Sequence, residues 1–178
     1  MKYIIQFLTI SRIIFGPIIF VLITLNNYYG ISIILFFLAS ISDYLDGHLA
    51  RKYNNVSTFG AILDPIADKV LITFIIIALA LNLESLYIGF IGSIIIAREL
   101  LIAALRDLNA RNGNSAATEV TFLAKTKTSI QFFALMGYMA GLYFGNALIL
   151  FLSNFILFLA LIITIQTGLS YTIATFER

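Results

Sequence analysis

The sequence predicts an all-α integral membrane protein of six transmembrane helices, on three observations. Of its 178 residues, 61% are hydrophobic and only 11% charged, with mean hydropathy +1.00; a soluble domain of this size carries about 25% charge. Six apolar segments, 4–25, 31–51, 59–81, 86–109, 118–142 and 147–173, stand between short polar breaks. Each is close to the roughly 20 residues that a helix needs to cross the hydrocarbon core. All eleven Lys and Arg residues fall in or near the N-terminus, the connections after the second and fourth segments, or the C-terminus, and the breaks at 26–30, 82–85 and 143–146 contain none. The positive-inside rule then puts both termini in the cytoplasm.

The first segment follows Met1 and Lys2 as a signal peptide would, but Arg12 interrupts the run and no small-residue cleavage site follows. It is expected to be retained, with an interfacial stretch up to Arg12 and a kink at Pro17. The second and third segments hold four of the nine acidic residues. The fourth carries Arg98 and Glu99 near its middle, the fifth opens with Lys125 and Lys127, and the sixth offers Asn154 and Gln166 as bonds to neighbouring helices. These spans leave no room for a second, soluble domain, so residues 1–178 are expected to form one membrane domain. A membrane barrel would show short alternating strands instead. The absence of cysteine excludes disulfides and a thiolate metal site, and nothing supports nucleic-acid binding or a catalytic serine.

The stretch SDYLDGHLARKYNNVSTFGAILDPIADKV places Asp43, Asp46, Asp64 and Asp68 in apolar surroundings. An aspartate near the centre of a membrane helix costs roughly 2.5–3.5 kcal/mol, so such a set needs compensation. Asp43 and Asp46 are three residues apart, and Gly60, Asp64 and Asp68 are spaced by four, so each group occupies one helix face. A tight antiparallel connection would bring Asp43 level with Asp68, Asp46 and Gly47 with Asp64, and Arg51 with Gly60. Facing carboxylates repel unless a cation neutralises them, and an all-oxygen set suits Mg²⁺ or Mn²⁺. Two ions held there would clamp both sides of a phosphoryl displacement. Gly47 and Gly60 would admit a phosphate or nucleotide close to the backbone, and Arg51 would meet its charge as a fork of donors. By itself Arg51 reads more readily as a positive-inside residue. His48, the one histidine, reads as a rim residue.

The residues Asp43, Asp46, Gly47, Ala50, Arg51, Gly60, Asp64 and Asp68 reproduce the pattern D-x2-D-G-x2-A-R-x8-G-x3-D-x3-D in full. This resembles the signature of the CDP-alcohol phosphatidyltransferases, whose six-helix fold agrees with the segments above. The resemblance implies an enzyme that moves a phosphatidyl group from CDP-diacylglycerol to an alcohol and releases CMP. It implies a two-metal site held by Asp43, Asp46, Asp64 and Asp68, with Asp68 also the general base on the acceptor hydroxyl. It further implies a CDP-lipid site of Gly47, Ala50, Arg51 and Gly60, a homodimer, and residence among membrane lipids as a multi-pass protein of a bacterial inner or plasma membrane.

Over residues 9–131, the signature together with IIIARELLIAALR and AKTKTSIQ is similar to the bacterial branch of the family whose acceptor is sn-glycerol 3-phosphate; the last segment matches only in hydrophobicity. Arg98, Arg106, Lys125 and Lys127 are the cations expected to hold the acceptor phosphate. Arg98 also reads as a residue paired with Glu99, and the two lysines as snorkelling residues at a helix start. Two positions depart from the family: Ile5-Gln6 stands where Pro-Asn is usual before Leu8, Thr9 and Arg12, and Ala124 replaces a glycine. Serine, inositol phosphate or a phospholipid are alternative acceptors within the family. A divalent-cation transporter is the reading from another class; clustering of the acidic residues toward one membrane face weighs against it.

Overall fold

The computed structural model describes the backbone of residues 2–25, 28–53, 58–113 and 122–176; the side chains of 2–6, 8, 43–53, 58–62, 64 and 122–125 lie outside the described set. The described residues form six helices and no strand: α1 (Lys2–Thr24), α2 (Tyr29–Tyr53), α3 (Thr58–Asn82), α4 (Leu86–Arg111), α5 (Phe122–Phe144) and α6 (Ala147–Phe176). Helix continues through Pro17 in α1 and Pro65 in α3. Among them, 65–82, 86–111 and 147–176 are long and apolar enough to cross a membrane, and 9–24 and 29–42 are shorter apolar runs. Lipid cannot hydrogen-bond the backbone, which is why apolar segments of this kind satisfy themselves as helices.

Packing closes the helices into a ring: α1 lies on α3, α3 on α4, α4 on α6, α6 on α5, α5 on α2, and α2 returns to α1, while α3 also touches α5 across the middle. The interior is filled by residues spaced at three and four along each helix, among them Ile19 and Ile23, Leu71, Ile75 and Leu79, Ile88, Ile91 and Ile95, and Leu135 and Met139. The outer faces remain apolar, as at Ile14, Ile18 and Val21 on α1 and Phe151, Phe155 and Phe158 on α6. Exposed apolar area on this scale is unfavourable in water and neutral against lipid tails.

Lipid removes most of the hydrophobic drive between helices, so close packing and polar ties carry their association. Gly137 and Gly141, one turn apart on α5, face Ser153 and Leu150 of α6; a Cβ on Gly141 would sit 2.6 Å from Leu150 Cδ2. Tyr138 Oη donates to Asn154 Oδ1 at 2.6 Å, giving Asn154 the interhelical bond that its position in the last apolar segment led us to expect. Gln166 is exposed on α6, and a glutamine bond to that helix comes instead from Gln131, whose Nε2 donates to Thr164 Oγ1 at 3.4 Å.

The turns after α1, α3 and α5 share one end of the ring. Asn82 Nδ2 donates to the Ile23 carbonyl at 2.9 Å and meets Tyr29 Oη at 3.2 Å, and Gly30 leaves room for the Tyr143 ring. Two of these turns reverse tightly by the same device. Ser85 N–H donates to the Ala80 carbonyl and Asn146 N–H to that of Gly141, with Glu84 (φ 47°) and Gly145 (φ 60°) in the left-handed region that such helix ends require. Asn146 Oδ1 then accepts from Leu148 N–H at 2.9 Å and starts α6.

Candidate functional site

A cavity of about 390 Å³ opens inside the ring between α3, α4 and α5. Helical spacing puts its polar lining on three faces: Asp68, Lys69 and Thr73 from α3; Arg98, Glu99 and Arg106 from α4; and Lys127, Thr128 and Gln131 from α5. Pro65, Ile72, Ile95 and Ile102 supply apolar wall. Among the described residues, four cations and two carboxylates line the space, a balance that favours an anion.

Asp68 is held from behind. Arg12 Nη1 of α1 forms an ion pair with Asp68 Oδ1; the arginine side chain is 0% exposed and that of the aspartate 41% exposed. A buried guanidinium must have its charge offset, and Asp68 contributes to that while keeping part of its carboxylate open.

Glu99 organises the opposite wall. It accepts from Lys127 Nζ and from Arg98 Nη1 at 3.1 Å, tying α5 to α4. Arg98 Nη2 donates to Thr167 Oγ1 of α6 at 2.7 Å, so both ends of its guanidinium are fixed. The Tyr171 ring lies 5.8 Å from Arg98 Cζ and 5.8 Å from Arg106 Cζ, within cation–π range of both.

Asp68, Arg98, Arg106 and Lys127 therefore share one cavity. The backbones of Asp43, Asp46, Gly47, Ala50 and Arg51 lie in the second half of α2, those of Gly60 and Asp64 in α3, and that of Lys125 in the first turn of α5; their side chains lie outside the described residues. Among the described residues no three His, Cys, Asp or Glu side chains form a group able to hold a metal. The pairing of Glu99 with Arg98 agrees with the structural reading of that arginine, and it coexists with a place on the cavity wall. Arg12 as the partner of Asp68, Lys69 on the lining, and Thr167 and Tyr171 behind the arginines were not anticipated. A charge amid the first apolar segment was the available signal for Arg12, because such a charge needs a partner.

The family model described as CDP-alcohol phosphatidyltransferase matches residues 3–166. Among curated proteins, the CDP-diacylglycerol–glycerol-3-phosphate 3-phosphatidyltransferase of Rickettsia bellii (strain RML369-C) is 41% identical over 169 residues, covering 93% of this chain and 91% of its own. The protein of the same name from Rickettsia typhi (strain ATCC VR-144 / Wilmington) is 39% identical over 175 residues, covering 96% of each. That of Haemophilus influenzae (strain ATCC 51907 / DSM 11121 / KW20 / Rd) is 34% identical over 167 residues, covering 93% and 89%.

The ion pair makes a testable demand on stability. Arg12→Met and Asp68→Asn should each lower the thermal midpoint in detergent, and the double variant should lose less than the sum. The expected coupling is about 1–2 kcal/mol, near the low end for a charged hydrogen bond because Asp68 is partly exposed. Strictly additive losses would show that the pair does not support the fold.

Proposed function

The chain belongs to the CDP-alcohol phosphatidyltransferase family, and from that footing we propose that it transfers the phosphatidyl group of CDP-diacylglycerol to sn-glycerol 3-phosphate, giving phosphatidylglycerophosphate and CMP. The relatives' names supply the two substrates. The observation that carries the reading is the sharing of one cavity by Asp68 and the cations Arg98, Arg106 and Lys127.

Transfer requires that the acceptor hydroxyl lose a proton while its oxygen attacks phosphorus, and that charge on the phosphoryl oxygens be offset. Asp68 is the base: its carboxylate borders the cavity, and Arg12 orients it. Arg98, Arg106 and Lys127, with Lys125, hold the acceptor phosphate. A dianion approaching Asp68 and Glu99 would be repelled without them. Arg98 is the strongest candidate, because Glu99 and Thr167 already hold its planar fork and little further freedom is lost on binding. Gly47, Ala50, Arg51 and Gly60 hold the CDP moiety. The donor set fits the metals that the family implies: Asp43, Asp46, Asp64 and Asp68 are all hard oxygen donors, and the partly open Asp68 carboxylate has room for a further contact. Two bound Mg²⁺ or Mn²⁺ ions would polarise the phosphate and ease departure of CMP.

In purified protein, CMP release should require both glycerol 3-phosphate and a divalent ion. Chelation, or Asn at position 43, 46, 64 or 68, should each cut turnover by about two orders of magnitude. Arg98→Ala should raise KM for glycerol 3-phosphate roughly ten- to a hundredfold with less effect on the CDP-lipid. Near-normal turnover in two aspartate variants without metal would exclude the two-metal assignment. Faster reaction with serine or plain glycerol than with glycerol 3-phosphate would exclude the acceptor.

The proposed protein is a single six-span domain of a bacterial inner or plasma membrane, with both termini and the site on the cytoplasmic side; the absence of Lys and Arg from the turns at one end of the ring supports this. A homodimer, implied by the family, is checked by detergent-corrected light scattering. Since the chain has no cysteine, single introduced cysteines report the topology. Asn146→Cys should react with an impermeant thiol reagent on intact cells, and Asn112→Cys only after permeabilisation. The reverse pattern would invert the topology.

A further inference from the structure

The proposed acceptor cations do not stand by themselves. Thr167, Gly168 and Tyr171 occupy successive positions on one face of α6, and none of the three is among the residues lining the cavity. All are buried, and all touch Arg98. Thr167 Oγ1 accepts from Arg98 Nη2 at 2.7 Å while donating to the Ile163 carbonyl at 2.7 Å, so its lone pair is already aimed. Gly168 provides the space: a Cβ there would lie 3.1 Å from Arg98 Cγ and 3.3 Å from its Nε. Tyr171 faces both guanidinium groups and is anchored among Ile102 and Leu105 of α4. Arg98 and Arg106 are eight residues apart on α4, and the shared ring sets the span between their heads.

We propose that the Thr167–Gly168–Tyr171 face of α6 is a positioning element that holds Arg98 and Arg106 as a spaced pair for the phosphate of the acceptor, making the last helix a determinant of acceptor affinity. This rests on the acceptor reading above. The three residues touch no substrate. They act by fixing two long, rotamer-rich side chains before the anion arrives, which spares the ordering cost on binding. A structural role alone would disturb both substrates alike, whereas a positioning role falls on the anionic acceptor.

The experiment measures KM for glycerol 3-phosphate and for CDP-diacylglycerol separately in folded, detergent-purified full-length protein. Thr167→Val, near-isosteric and without the acceptor oxygen, should raise acceptor KM about tenfold. Tyr171→Leu should raise it about fivefold, and Tyr171→Phe, which keeps the ring, should restore it to within about twofold of the unmodified protein. Gly168→Ala, which displaces the arginine stem by one methyl, should act in the same direction. In each case KM for the CDP-lipid should change by less than about twofold, and Leu169→Ala, on the lipid-facing side of the same turn, should change neither. Equal rises in both KM values would overturn the inference in favour of a structural role. So would unchanged acceptor KM in the α6 variants when Arg98→Ala raises it, with the acceptor site left intact. If Arg98→Ala itself leaves acceptor KM unchanged, the acceptor reading falls and this inference with it.

Discussion

Charge inside an apolar bundle must be matched by charge, and the cavity end of this ring is arranged around that constraint. Arg12 is fully buried on α1 and pairs with Asp68 on α3; Glu99 on α4 binds both its neighbour Arg98 and Lys127 on α5. Arg12–Asp68 ties α1 to α3 and Glu99–Lys127 ties α4 to α5. Breaking one costs more than the pair itself contributes, because the surviving charge stays in a poor solvent. The same pairs fix the proposed reactive groups. Asp68 is oriented from outside the cavity and Arg98 from two sides, so the wall presents formed donors and a formed acceptor before any substrate enters.

The balance is not neutral. Among the described residues the lining carries four cations and two carboxylates, and Glu99 offsets part of the field of Arg98 and Lys127. In the proposed reaction that described surplus favours an anionic acceptor over an uncharged alcohol. It links the fold to the proposed chemistry: the ring order sets α3, α4 and α5 around one space, the pairs hold the side chains, and in the proposed reaction the charge they present selects the acceptor.

The helices were legible because lipid-crossing segments must be long, apolar and bounded by polar turns, and Asn82 and Asn146 serve in those turns as the sequence pattern implied. The family was also legible, since eight positions at fixed spacing leave little room for coincidence, and the family model matches residues 3–166. The ring order was not: it depends on which faces meet, and the outward faces are as apolar as the inward ones. Arg12 and Asp68 are 56 residues apart, and no local pattern announces such a pair. The role of α6 escaped for a related reason. Thr167, Gly168 and Tyr171 are ordinary residues for a membrane helix, and they acquire meaning only from the guanidinium groups packed against them.

Direct binding to the cavity in the absence of CDP-lipid tests the central claim, that fixed surplus charge selects the acceptor by its phosphate. Titration calorimetry of sn-glycerol 3-phosphate into the detergent-solubilised protein should give saturable binding that weakens as ionic strength rises, that inorganic phosphate competes away, and that glycerol does not. Absence of binding, or equal competition by glycerol, would contradict the account.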